Sequence, residues 1–297
     1  MIHFVGAGPG AVDLITVRGL SLLKKADVII YAGSLVNPAL LEDAKEGCQI
    51  YDSARMTLEE VLKVMEEAQR RGLDTVRLHT GDPSIYGAVR EQMDALAEKG
   101  IPFDVCPGVS SFAGAAASLR MEYTLPEVSQ SLIITRAEGR TPVPERESLS
   151  AMAAHGCTLV LFLSAGLAGK VREELLAGGL SPDTPAAVVY KATWPEEQIL
   201  RTSLGELPER MEEAGISRTA LIIVGDVLGD TYARSRLYDG SFTTGYRKGG
   251  DRGEGGSDCM QHTGLSSDEE GRSSVEGAGA GAGNGGAGEM RRPAGDL

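Results

Sequence analysis

Apolar and polar positions along the chain follow two alternating periods. Short apolar runs at Ile2-His3-Phe4-Val5, Val28-Ile29-Ile30-Tyr31, Thr75-Val76-Arg77-Leu78 and Phe103-Asp104-Val105 have the length of strands. The run at 28–31 is continuous and β-branched, as in a strand covered on both faces. Between these runs apolar residues recur at helical spacing. Leu20, Leu23 and Ala26 follow Thr16, and Leu58, Val61, Leu62 and Met65 mark one face of a helix predicted over about 57–71, with another over about 84–99. Strands alternating with helices predict a mostly parallel, layered α/β sheet. The pattern breaks at 121–128, around Pro126, and a second α/β series follows. Its strands are predicted at Ser131–Thr135, Thr158–Leu163, Ala186–Tyr190 and Ala220–Val224. The expectation is therefore two α/β domains, 1–120 and 125–247, with a small-molecule site in the cleft between them. From Lys248 to Leu297 the periodicity disappears into glycine, serine and acidic residues, including a glycine–alanine repeat over 277–283. Such a stretch buries too little apolar surface to offset its chain entropy, so a disordered tail is predicted over 248–297.

Composition narrows the classes. The 297 residues are 42% hydrophobic but only 5% aromatic, so aliphatic side chains must fill the core. No apolar run approaches the ~18 residues of a membrane span, and no basic leader precedes the first apolar run, which speaks against a secretory signal. Cys48, Cys106, Cys157 and Cys259 form no C-x-x-C pair; they suit reduced thiols in a cytoplasmic protein better than disulfides or zinc. The four histidines lie at no metal-ligand spacing, so no metal is expected. A net charge of −13 opposes binding to nucleic acid. It still allows a small anionic ligand, because local arginines act at short range.

Candidate chemistry lies in loops at predicted strand ends. The first is Gly6-x-Gly8-Pro9-Gly10-x-x-Asp13-Leu14-x-Thr16-x-x-Gly19. It departs from a dinucleotide fingerprint: Ala11 takes the third glycine position, and Tyr31-Ala32-Gly33-Ser34 supplies no acid after the second strand. No G-K-[ST] follows, so a Walker loop is excluded as well. Pro9 removes an N–H and stiffens the turn, which suits a shaped wall better than a phosphate cradle. The second loop is Thr80-Gly81-Asp82-Pro83-Ser84-Ile85-Tyr86-Gly87, and the third Cys106-Pro107-Gly108-Val109-Ser110-Ser111. Each alone reads as an ordinary turn, with Asp82 capping a following helix. Three in succession at strand ends point to a ligand crevice.

Together these three motifs resemble the tetrapyrrole methylase family, over about 1–247. Within it, Tyr31–Val36, Thr135–Pro144 and Tyr190-Lys191-Ala192-Thr193-Trp194-Pro195 are similar to the branch that methylates C11 of precorrin-4, with or without cobalt. The resemblance implies a homodimeric enzyme that uses S-adenosylmethionine (SAM) to methylate a tetrapyrrole precursor of cobalamin. It implies SAM contacts at Asp82, Ile85, Ser110, Ser111, Phe162, Lys191, Ala192, Thr219 and Ala220. It also implies that Gly8, Pro9, Gly10 and Asp13 border a tetrapyrrole trough. The substrate's acetate and propionate groups need local positive charge, for which Arg136 and Arg140, flanking Glu138, are candidates; the plainer alternative is a solvated loop with an internal Arg–Glu pair. In-line attack by a ring carbon on the sulfonium methyl requires no protein nucleophile, and Glu138 or Asp82 is a candidate acceptor for a departing proton. His79 reads as a packed residue rather than a base, and Trp194 as either core or trough wall. A sibling methylase acting at another ring position, a diphthine synthase-like protein methylase and a binding module without turnover stay open.

Overall fold

Five parallel strands build the N-terminal sheet: β1 (Ile2–Gly6), β2 (Val28–Tyr31), β3 (Gln49–Asp52), β4 (Thr75–His79) and β5 (Phe103–Cys106), in the order β3-β2-β4-β1-β5. In this computed structural model, residues 1–250 and the short strand at 259–261 are described. The register pairs Gly6 with His79, Val5 with Cys106 and Tyr31 with Leu78, so the strands finish along one edge. All three glycine loops leave from that edge. The continuous apolar runs are explained by burial on both faces. Val5, Ile29 and Leu78 pack with Leu23 of α1 (Val17–Lys25) on one side. Ile2, Phe4 and Ile30 pack with Met65 of α2 (Leu58–Arg70) and Leu96 of α3 (Arg90–Glu98) on the other. Each fully buried side chain of this size contributes about 1.5–3 kcal/mol. Local signals start the helices where expected: the Thr16 hydroxyl accepts from Gly19 N (3.0 Å), and Thr57 with Glu60 forms a reciprocal capping box before α2.

The second sheet contains β6 (Leu132–Arg136), β7 (Thr158–Phe162), β8 (Pro185–Tyr190), β9 (Gln198–Ser203) and β10 (Ala220–Val224), in the order β6-β7-β10-β8-β9. Only β6 and β7 run parallel; the other three pairings are antiparallel. The expectation of mostly parallel strands fails here for a geometric reason. The 191–197 connection is too short for a crossover, so β8 and β9 must form a hairpin. One face is covered by α5 (Leu149–Ala153), α6 (Ala168–Ala177) and α7 (Leu207–Glu213). The other is covered by α4 (Ser111–Leu119), whose Ala115 and Leu119 join Val160, Val189, Leu221 and Ile223. A helix that follows the first sheet in sequence thus packs on the second, and contacts unite residues 1–250 in one compact unit.

The helix expected over 84–99 begins only at Arg90. Tyr86 and Ala88 have φ of 55° and 48°, conformations a right-handed helix cannot include. β11 (Thr231–Ala233) pairs antiparallel with β12 (Cys259–Gln261). Apart from 248–250 and that strand, the tail predicted to be disordered lies outside the described residues.

Candidate active site

The three glycine loops meet backbone to backbone. A Cβ on Gly108 would stand 2.2 Å from the Gly81 carbonyl oxygen and 2.7 Å from Gly6 Cα, so no side chain fits between them. Asp82 braces this stack. Its Oδ2 accepts from Gly108 N at 2.7 Å, while Oδ1 accepts from Ser84 N at 2.9 Å and from the Ser84 hydroxyl. Burial alone would raise the Asp82 pKa, but these hydrogen bonds outweigh it and hold the carboxyl below its ordinary value. A carboxylate so fully bonded is a brace and a poor proton acceptor. It caps no helix either, since the next one starts eight residues on.

Gly8, Pro9 and Gly10 are buried, and they form a joint between the two halves. Gly8 and Gly81 exchange backbone hydrogen bonds, and Asn37 Nδ2 donates to the Gly10 carbonyl. Across the joint, Trp194 Nε1 donates to the Pro9 carbonyl (3.1 Å) and Ala11 N donates to Thr193 Oγ1 (3.0 Å). Trp194, which the sequence leaves between core and trough wall, is therefore an inter-sheet clasp. Asp13 stands exposed on the following turn.

On the second sheet Lys191 N donates to the Thr219 carbonyl (2.9 Å), and Ala220 pairs with Tyr190, which brings 190–192 beside 219–220. Lys191 Nζ lies 5.2 Å from the Trp194 ring centre and 3.6 Å from Glu196. Ala192 is buried against α4, where Phe162 also packs. Phe162 meets Tyr86 from the second glycine loop, ring centres 5.4 Å apart. Ser110 and Ser111, at the start of α4, lie against Gly81. Nearly all the residues expected to hold the cofactor therefore lie where the glycine loops face the ends of β7 and β8 and the start of β10. Among the described residues, six of eight non-glycine positions with positive φ line this region: Tyr86, Ala88, Leu163, Lys191, Thr193 and Thr219. Such strain persists only where the surroundings over-determine the backbone.

Arg136 and its neighbours fall out differently. The Arg136 guanidinium donates to the carbonyls of Ala137, Thr141 and Pro142, clamping its own loop. Arg140 is exposed. Glu138 pairs with Lys170 rather than with either arginine: Lys170 Nζ lies 2.9 Å from the Glu138 carbonyl and 3.4 Å from its carboxylate. That surface pair draws Glu138 away from a role as proton acceptor. His79 is packed, as expected, stacked on Phe4 (6.3 Å) and 5% exposed. Burial, with the nearby Arg77 charge, pushes its pKa down to about 3.

Sequence reasoning passed over Tyr86, Leu163 and Thr193. Tyr86 and Thr193 stood inside motifs already singled out, and only their strained backbones mark them further. Leu163, 68% exposed at φ 54°, carried no sequence signal.

The fold and this crevice place the chain in a known class: it belongs to the tetrapyrrole (corrin/porphyrin) methylases, whose family model matches residues 1–208. It is 54% identical over 248 residues to the cobalt-precorrin-4 C(11)-methyltransferase of Methanocaldococcus jannaschii, covering 83% of this chain and 96% of that protein. The crystal structure of a cobalamin biosynthetic enzyme, cobalt-precorrin-4 methyltransferase, superposes with a TM-score of 0.75 at 48% identity, over 76% of this chain and 95% of the other. A uroporphyrin-III C-methyltransferase from Thermus thermophilus, complexed with S-adenosylhomocysteine, superposes with a TM-score of 0.64 at 27% identity, over 76% and 92% of the chains. Among the described residues no helix is long and apolar enough to cross a membrane, and no cluster of three metal-ligating side chains occurs.

Proposed function

We propose that this protein transfers a methyl group from SAM to C11 of precorrin-4 or cobalt-precorrin-4, giving the corresponding precorrin-5 and S-adenosylhomocysteine in cobalamin biosynthesis. The observation that carries the reading is convergence. Segment 190–195, one of those similar to the C11 branch, packs directly on the Gly8–Gly10 loop, and 135–144 begins at the end of β6, where Arg136 pairs in register with Phe162. The relatives' names agree with it.

The residues present fit SAM. Ser110 opens α4 without a side-chain cap bond, so the first N–H groups of that helix are left for an external acceptor such as a carboxylate. Asp82, Ile85, Ser111, Phe162, Lys191, Ala192, Thr219 and Ala220 complete the assignment, with the backbone of Lys191 and Thr219 held at positive φ. SAM supplies an electrophilic methyl group, and the substrate ring carbon supplies the nucleophile. The task left to the protein is alignment and exclusion of water, by Tyr86, Phe162 and the braced loops. Positioning of this kind contributes about 7–11 kcal/mol when the bound geometry is close to that of attack. Gly8–Gly10 and Asp13 border the tetrapyrrole side in this reading, Arg136 and Arg140 flank it, and the enzyme works as a cytoplasmic homodimer.

Mass spectrometry of the product tests the proposal after incubation with SAM and either form of precorrin-4. Gain of one methyl, located at C11 by NMR, is expected. No gain with either form while SAM binds normally would overturn the C11 assignment in favour of a sibling methylase.

A further inference from the structure

Arg77 is a buried cation without a carboxylate partner. It sits in the middle of the N-terminal sheet on β4, 6% exposed, and among the described residues no acid offsets its charge. Burial pushes its pKa down only to about 10, so it remains protonated at neutral pH. Two of its five N–H donors are used: Nε donates to Gln92 Oε1 (3.1 Å) and Nη1 to the Ile30 carbonyl (3.2 Å). An uncompensated buried charge is costly, so a site of this kind is retained where something else supplies the counter-charge.

A cavity of about 280 Å³ opens beside it. Arg77, His79 and Thr80 line it from β4 and its end, Ala32 and Ser53 from the ends of β2 and β3, and Tyr86 from the strained 83–89 segment. His79 brings the second observation: it is 95% buried by the same measure, and its Nε2 has no hydrogen-bond partner. Cation and unpaired imidazole therefore wall one space. That space lies at the small end of the ~300–1,000 Å³ typical of ligand pockets, so it suits a side arm rather than a macrocycle. It also adjoins the proposed reaction cleft, because Tyr86, which walls the cavity, meets Phe162 in a tilted ring contact there. Gln92 ties the two together: it accepts from Arg77 and donates through Nε2 to the Ala88 carbonyl at 2.9 Å. Glu91 stands exposed at the rim as the one acid lining the cavity.

We propose that this cavity is a carboxylate-binding subsite, in which Arg77 and His79 receive one acetate- or propionate-type arm of the tetrapyrrole. The assignment of the arm rests on the proposed function; the carboxylate site itself does not. Arg77 supplies the charged fork suited to a carboxylate, and His79, kept neutral by burial, supplies a further donor as its Nε2–H tautomer. Occupancy also fixes the 83–89 segment through Gln92, so the arm would orient the ring and settle the wall of the cleft together.

Sodium propionate is the direct probe. Imidazole NMR of the full chain, with His79 assigned by its loss in His79→Asn, should show that resonance moving saturably with an affinity on the order of 10 mM. The shift should vanish in Arg77→Met and strengthen several-fold in Glu91→Gln, which removes the repelling charge at the rim. Propionate should also compete with cobalt-precorrin-4 in fluorescence titration. In Arg77→Met, tetrapyrrole affinity should fall about 10- to 100-fold, as for a lost charged hydrogen bond, with S-adenosylhomocysteine affinity retained as evidence of folding. Arg77→Lys, which keeps the charge, should recover part of the propionate response should the Met variant be unstable. No propionate response in the wild type overturns the subsite. A response without competition overturns its assignment to the substrate arm. Failure of cobalt-precorrin-4 to bind at all, with propionate binding intact, would strike instead at the proposed function.

Discussion

In the proposed function Arg136 acts on the substrate through the loop it clamps. Its guanidinium bridges three carbonyls of its own loop, so its replacement frees 137–142 before it removes any contact with a ligand. Arg136→Ala should cost about 1–2 kcal/mol of stability, since charge-assisted bonds are lost but the site is partly wet. It should weaken tetrapyrrole binding while sparing SAM. Arg136→Lys decides the cause: a single ammonium cannot span three carbonyls, so Lys should behave like Ala. Recovery of tetrapyrrole affinity in the Lys variant would instead show direct charge pairing. His79 makes a different prediction. Its native pKa is lowered to about 3 from an ordinary 6.5, so the unfolded chain binds the proton first. Stability is therefore complete above pH 6.5 and declines as the pH falls below it. Between pH 7 and pH 5 the loss from this residue should be about 2 kcal/mol. His79→Phe, which keeps a ring against Phe4, should flatten that decline in denaturant titrations at the two pH values; an unchanged slope would mean that His79 is hydrated in the native state.

At the scale of elements, function depends on close approach between loops. Gly108→Ala places a methyl carbon 2.2 Å from the Gly81 carbonyl, and neither backbone can yield without parting the braced loops. The expected result is a folded protein, destabilised by about 1–3 kcal/mol as for overpacking, whose affinity for S-adenosylhomocysteine in calorimetry falls at least tenfold. Gly169→Ala is the counterpart. It lies in α6 with nothing within 4 Å of the added carbon, and should stabilise by about 0.5–1 kcal/mol without touching the ligand. The same contrast explains what was legible beforehand. Strands such as β2, β4, β7 and β10 announced themselves because both faces are buried, and α1 and α2 because apolar residues recur at helical spacing along one face. β3 and β9 were missed: both are sheet edges, half exposed, with polar residues such as Gln49, Asp52, Gln198 and Arg201 that dilute the apolar signal. The start of α3 was misplaced because apolar spacing continues through Tyr86 and Ala88, whereas their backbones obey the packing of the loop. The residues expected at the cofactor came from the family resemblance that the three motifs carry. The clasp from Trp194 to Pro9 spans 185 residues, a pairing that no local pattern announces.

The whole molecule sets a field that its two ligands feel oppositely. The chain carries −13, while the proposed tetrapyrrole is a polycarboxylate and SAM bears a net positive charge. Short-range arginines govern how firmly the substrate stays, but the encounter happens at distances where the summed field acts. Screening shortens that field to about 10 Å at 0.1 M salt, from about 30 Å at 0.01 M. Raising the salt across this range should therefore speed tetrapyrrole association several-fold in stopped-flow fluorescence and slow that of SAM. Dissociation rates should change less, since Arg77 lies buried and the loops bracing the cleft are packed against one another. A tetrapyrrole on-rate that instead fell steadily with salt would mean that a local basic surface steers the approach. In that case exposed Arg140, rather than buried Arg77, becomes the first arginine to neutralise, and Arg140→Gln should abolish the salt dependence.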